Sequence, residues 1–372
     1  MEQPGVAVNK KTGQPRGDVY GDFGGTPLWG EAGPKPEDVQ QGFIGDCFLM
    51  AALQSVCAAN PGKIKSLFSP QESGAKQYSV TLFQKEGETD QFKEKAFTVD
   101  TMLPALNAKS PEPGAQPASG AGPQLAYAGN DQVTQRPAPL WPSLVEKAYA
   151  MMLKGGYAEL GRGGVPADAM SALTGQPVER VRGAEGKEAM LAKLKQFQQG
   201  GQPAVCSTFG SKQRTQKKAF RDGGQGQVSG VLTGQEGART AIIPATIEIT
   251  DEKNKGIRLA DDAKGRFVGE GLKTGTISYD TGAAQLSFEA EKAPEDPQTL
   301  IAEFDYRGQL SAEYDVFAEH AYAFVRLDGE NVVLKNPWGF RDPKPIPIAK
   351  FMEFFQEVQG GEPPKPDAPP KS

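Results

Sequence analysis

Histidine is almost missing from this chain. Its 372 residues contain a single one, His320. Imidazole is the side chain whose unperturbed pKa lies nearest neutrality, so acid–base chemistry that needs it has one candidate. Cysteine is scarce as well: Cys47, Cys57 and Cys206 are too few and too scattered for a disulfide framework. One histidine without a close cysteine pair leaves little for a zinc site. No run of about 18 or more apolar residues occurs, which argues against a membrane-spanning helix. The net charge is −5 and the pI about 5.3, so the chain lacks the basic footprint of a nucleic-acid binder. The opening stretch also lacks the apolar core of a secretory signal. These absences lead us to expect a cytoplasmic protein, or one delivered by a secretion route that needs no signal peptide.

The sequence divides by composition. Residues 1–35 are rich in Gly and Pro without periodicity, and read as an extended N-terminal arm. Helix formers run from Cys47 to Ala58 behind Asp46, a residue suited to an N-cap. Alternation over 77–83 and 96–100 predicts paired strands. A loop loaded with Pro, Gly and Ala spans 105–139. Trp141-Pro142-Ser143 opens a second helix, Pro142 fitting its first turn. A third is predicted over 186–199 and a buried strand over 203–209. Between 213 and 310, short alternating segments separated by Gly-rich turns predict an all-β module, including a hairpin turned by Asp280-Thr281-Gly282-Ala283. Strands carry His320 and Val332–Leu334, a short helix is expected near 349–358, and 359–372 reads as a disordered tail.

Three local patterns carry chemistry. Cys47 would sit in the first turn of its helix, where the dipole and unsatisfied N–H groups favour a thiolate. Read alone, it could equally be a small buried hydrophobe, as Cys57 and Cys206 are expected to be. Gln41 lies on a glycine-flanked loop six residues earlier, where its amide could join the Cys47 N–H in binding an oxyanion, or be an ordinary loop glutamine. Asn336, in Asn336-Pro337-Trp338-Gly339, could accept the imidazole Nδ1–H of His320 and fix its orientation. Trp338 could then cover that hydrogen bond. The bland alternative is a turn with one packed tryptophan.

Taken in order, Gln41 to Leu49, Trp141 to Tyr149, His320-Ala321-Tyr322 and Asn336 to Gly339 resemble the calpain family of papain-like cysteine endopeptidases. The stretches Phe97–Pro104 and Val205–Thr208 resemble family strands. The resemblance covers 36–212 and 312–358. It implies an α+β, papain-like two-lobed fold: a helical lobe over 36–185, a β-rich lobe over 186–212 and 311–358, and an inserted all-β module over 213–310. It further implies Cys47 as nucleophile, His320 as base then acid, Asn336 as orienter, Gln41 as oxyanion donor and Trp338 in support. Protein or peptide is the implied substrate. A catalytically silent scaffold whose β insert binds a partner or particle, and a transglutaminase-type acyl transferase, are the competing readings. No cofactor is required; Ca2+ enters through the family, with Asp38 matching one of its ligand positions. The chain departs from the family pattern at Phe48, where tryptophan is common, and at Glu319, where glycine usually precedes the histidine. A carboxylate at Glu319 could hold the imidazolium more firmly.

Overall fold

The computed structural model describes residues 3–4, 20–42, 44–69, 73–87, 91–106, 124–125, 127–129, 138–210, 213–234, 241–243, 246–253, 256–261, 265–279 and 281–361. Much of the 105–139 loop, residues 1–2 and 5–19 of the N-terminal arm, and residues 362–372 lie outside them. The described residues of 18–209 and 320–361 form one compact unit, and those of 210–319 form a second.

The first unit is built around α1 (Cys47–Ala59). Eleven of its residues, from Cys47 to Cys57, are buried, so this helix is apolar all round and serves as a core element rather than a surface one. Among the described residues α2 (Pro61–Ser66), α3 (Trp141–Met152), α4 (Gly156–Leu160), α5 (Pro166–Thr174) and α6 (Lys187–Gln199) follow, with a further short helix near the C-terminal end. Pro142 does fall in the first turn of α3. A six-stranded sheet comprises β1 (Val178–Arg182), β2 (Ala204–Thr208), β3 (Ala321–Asp328), β4 (Asn331–Lys335), β5 (Ile346–Pro347) and β6 (Phe355–Gly361). Its spatial order is β5-β4-β3-β2-β6-β1, and α1 packs against β2, β3 and α5. Ser55 Oγ on α1 donates to the Ala204 carbonyl at 2.9 Å and accepts from the Ala204 N–H at 2.6 Å, which pins α1 to the start of β2.

The expected hairpin of 77–83 with 96–100 is present and longer: Gln77–Lys85 pairs antiparallel with Phe92–Asp100. Its burial alternates along Gln77–Lys85, with Tyr78, Val80 and Leu82 inside. Residues of the expected helical and β-rich lobes belong to one hydrophobic core, which includes Val205 of β2 and Ala321 of β3 alongside α1.

Two expectations are corrected. The arm over 1–35 is not a bare extension in its described part. Tyr20–Asp22 pairs with Met102–Leu106, Leu28 is buried, and Trp29 meets Phe68 edge-on with centroids 5.0 Å apart. Few apolar residues, widely spaced, were enough to seat the segment. The helix near 349–358 is shorter, α7 (Ile348–Phe354), and the chain continues as β6. Gln359, Gly360 and Gly361 therefore lie in a strand between β2 and β1, not in a disordered tail. Gly360 is used for close approach: a Cβ there would sit 2.4 Å from the Phe197 ring of α6.

The second unit is all strand apart from 3-10 turns among its described residues. One sheet has the order Phe220–Gly224, Gln227–Val231, Ala283–Phe288, Leu272–Ile277. The hairpin expected around Gly282 is its last pairing, with Thr276 opposite Gln285. A second sheet is organised on Leu300–Arg307, which pairs with Glu248–Asp251, Ala241–Ile242 and Gln213–Lys217. Ile247, Ile249, Leu286, Phe288, Ala302 and Phe304 are among the residues of its own apolar core. Both ends of the segment leave the first unit at one place. There β2 and β3 are antiparallel neighbours, with Ala321 opposite Ser207.

Candidate active site

Cys47 is the first residue of α1 and 8% exposed. Asp46 occupies the N-cap position, as expected, but its side chain makes no capping hydrogen bond. The Asp46 carbonyl instead accepts from Leu49 N at 2.9 Å and Met50 N at 3.1 Å. Phe48, in the place where the resembling family commonly has tryptophan, meets Tyr149 of α3 edge-on at 6.0 Å. The apolar wall is thus kept without an indole N–H.

His320 immediately precedes β3 and is 3% exposed. Its backbone is clasped by Thr208 at the end of β2. Thr208 N donates to the His320 carbonyl at 3.0 Å, Thr208 Oγ1 donates to that carbonyl at 3.1 Å, and His320 N donates to Oγ1 at 2.9 Å. Just before it, Glu319 has φ of +49°. That is left-handed backbone, which glycine adopts without strain and glutamate does not. The glycine usual in the family at this place has a steric reason, and this chain departs from it under strain.

Asn336 follows β4 and is fully buried. Its amide orientation is set from two sides. Trp338 N donates to Oδ1 at 3.1 Å, and Nδ2 donates to the Arg341 carbonyl at 3.1 Å. The imidazole therefore faces an oxygen: His320 Nε2 lies 3.0 Å from Asn336 Oδ1. An amide oxygen only accepts, so Nε2 carries the proton and Nδ1 is the basic nitrogen of the neutral ring. The expectation was the reverse, with Nδ1–H on Asn336. Spacing in sequence cannot show which edge of a ring faces its partner. Trp338 does lie over the imidazole, with centroids 4.6 Å apart and planes tilted by 36°, and Tyr322 meets the ring edge-on at 4.7 Å. Gly339 has φ of +79°, and a Cβ there would come within 2.6 Å of the Gln40 side chain. The turn that presents Trp338 thus needs glycine.

Gln41 is 2% exposed and joined to the same turn, its N–H donating to the Pro337 carbonyl at 2.7 Å. Its Nε2 donates to the Ile44 carbonyl at 2.7 Å. An amide nitrogen has two hydrogens, so one remains for another acceptor. Gln54 was not singled out in the sequence. From inside α1 its Nε2 donates to the Val39 carbonyl at 3.2 Å and, weakly, to the Asn336 carbonyl at 3.4 Å. A lone amide seven residues after Cys47, two turns along a helix whose one other polar residue is Ser55, was the available signal.

The remaining thiols sit elsewhere. Burial, helped by Asp38 and Glu37, pushes Cys57 up to about 12, and burial alone pushes Cys206 up strongly. Neither is poised to ionise. Asp38, the candidate calcium ligand, accepts from Trp141 Nε1 at 2.8 Å and from Lys35 N at 2.8 Å. Burial raises its pKa from the ordinary aspartate value, against the lowering effect of these two hydrogen bonds. Glu159 pairs with Arg162, and Asp342 accepts from Asn336 N at 2.8 Å. No group of three His, Cys, Asp or Glu side chains is placed to hold a metal among the described residues. Asp38, Glu159 and Asp342 are each engaged by the partners just given. No helix among them is long and apolar enough to cross a membrane.

Residues 26–232 match the sequence model of the calpain family of cysteine proteases. This chain belongs to that family. Calpain-13 of Rattus norvegicus is 30% identical over 171 residues, which is 46% of this chain and 22% of the relative. The chain thus spans about a fifth of that relative's length. The calpain match takes in Gln41, Cys47 and α3 but stops short of His320 and Asn336. Those two are tied to the matched region by the clasp from Thr208 and by the Gln41–Pro337 hydrogen bond. Calpain membership also implies a papain-like fold, with which this mixed α/β architecture agrees.

Proposed function

We propose that this protein is a calpain-type cysteine endopeptidase, acting on peptide bonds of protein or peptide substrates through Cys47, His320 and Asn336. The observation that carries the reading is the imidazole–amide pair, His320 Nε2 to Asn336 Oδ1 at 3.0 Å, under Trp338. It leaves Nδ1 as the base, and no other histidine exists to take the role.

The cycle follows from these groups. His320 Nδ1 takes the Cys47 proton, and the thiolate at the start of α1 attacks the scissile carbonyl carbon. The oxyanion is met by the Cys47 N–H and the second hydrogen of Gln41 Nε2. The imidazolium, held by Asn336, gives its proton to the leaving amine as the C–N bond breaks, which leaves an acyl-enzyme. Water, deprotonated by His320, then attacks the thioester carbonyl and releases the acid, returning the proton to the site. Trp338 shields the His320–Asn336 bond from water. The helical and β-rich portions would act as the two lobes of a papain-like enzyme, with residues 210–319 as an insertion available to a protein partner. The Cys47→Ala variant should lose all cleavage of an unfolded protein, while Cys57→Ala retains it. Cleavage by Cys47→Ala at the wild-type rate would refute the assignment.

A further inference from the structure

We infer that Gln54 is a positioning residue, whose side-chain amide holds the turn bearing Asn336 in register with the helix bearing Cys47. The inference rests on the reading of Cys47, His320 and Asn336 as the triad. Gln54 is 1% exposed and lies seven residues after Cys47 on α1. Seven steps of about 100° return to nearly the same bearing, so the two side chains leave one face of the helix, two turns apart. Gln54 Nε2 donates to the Val39 carbonyl at 3.2 Å and to the Asn336 carbonyl at 3.4 Å. An amide nitrogen has two hydrogens, and these two acceptors use both. The opposite amide orientation would set Oε1 against two carbonyl oxygens. Val39 lies two residues before Gln41, whose own N–H donates to the Pro337 carbonyl at 2.7 Å. One amide thus joins α1, the segment leading to Gln41 and the Asn336 turn.

The turn is closed on itself by other bonds. Asn336 N donates to Asp342 Oδ1 at 2.8 Å, and the Asn336 carbonyl accepts from Gly339 N at 3.1 Å. Asn336 Oδ1 accepts from Trp338 N, and Nδ2 donates to the Arg341 carbonyl, both at 3.1 Å. A turn made rigid in this way can still move as a body against α1, and such a shift changes how the His320–Asn336 pair approaches Cys47. The bond from Gln54 is the one that reaches Asn336 from the nucleophile's own helix. Ser55, the next residue, bonds instead to the Ala204 backbone and ties α1 to β2. A further observation points past packing. Gln54 Oε1 is buried without a hydrogen bond among the described residues, and an unmet buried acceptor costs stability. A position selected for the core alone would be apolar there, as its neighbours Leu53 and Val56 are.

Gln54→Met keeps the length of the side chain and removes both hydrogen bonds. On an unfolded protein substrate it should lower kcat by about tenfold with KM within about twofold, because the groups that would meet substrate are untouched. Ser55→Ala, which loses a buried pair of bonds from the same helix, should lower Tm and keep kcat. The single histidine supplies a second readout, since every imidazole 15N resonance belongs to His320. A neighbouring thiolate stabilises the imidazolium, so Cys47→Ala should lower the His320 titration midpoint. Gln54→Met should lower it too, and adding Cys47→Ala should then move it less than in the wild type. An unchanged kcat or an unchanged midpoint in Gln54→Met overturns the inference, as does an equal kcat loss in Ser55→Ala. If Cys47→Ala itself leaves the wild-type midpoint in place, the fault lies in the reading of the triad, and the inference falls with it. Gln54→Ala, which cannot clash, carries the comparison should Gln54→Met fail to fold. Failure of both beside a folded Ser55→Ala would make Gln54 a residue of the fold and overturn the inference as well.

Discussion

At the scale of single residues, the assignment depends on which atom faces which. Asn336 is held by Trp338 N and the Arg341 carbonyl so that its oxygen meets His320 Nε2. Asn336→Ala would free the tautomer and the ring orientation together. We expect kcat/KM to fall on the order of 10²–10⁴-fold with the fold retained, checked by steady-state kinetics beside circular dichroism. A loss under about threefold would mean that Asn336 is a packing residue. Cys47, His320, Asn336 and Trp338 were singled out in the sequence because rare residue types in a fixed order constrain each other. The ring edge presented to Asn336 could not be read there, since it depends on the backbone of β3 and β4.

Among elements, α1 and the strands it packs on do most to place the site. The helix was legible because its residues are good helix formers behind an aspartate. Its burial from Cys47 to Cys57 was not, because that follows from β2, β3 and α5 packing on it. β6 was missed for a related reason. Gln359-Gly360-Gly361 has little intrinsic strand preference, and its pairing with β1 and β2 and the Phe197 ring over Gly360 override that weakness. The entry to β3 stores strain at Glu319, whose φ is +49°. Glu319→Gly should therefore raise stability by about 1 kcal/mol, read as an increased denaturation midpoint with unchanged m-value. A lower midpoint would show that the glutamate side chain contributes more than its backbone costs.

For the molecule as a whole, the sequence placed an all-β module over 213–310, and the second compact unit spans 210–319 with its own core. Turn residues and alternation made it legible. The N-terminal segment was harder, because its anchors are isolated residues such as Leu28 and Trp29. The Thr208 N–H donates to the His320 carbonyl at 3.0 Å, so a short linker can join the two sides. Replacing 211–318 with a few glycines should leave the first unit folded, with Cys47 still open to alkylation; a molten product would show that the module is required for the fold. The central claim, that the lone histidine activates Cys47, is tested most directly by the rate of Cys47 alkylation against pH in the wild type and in His320→Ala. The buried thiols of Cys57 and Cys206 are pushed upward and contribute little background. The account predicts rapid labelling of Cys47 near neutral pH in the wild type and a rate at least about tenfold lower in His320→Ala. Equal rates across the neutral range would contradict it.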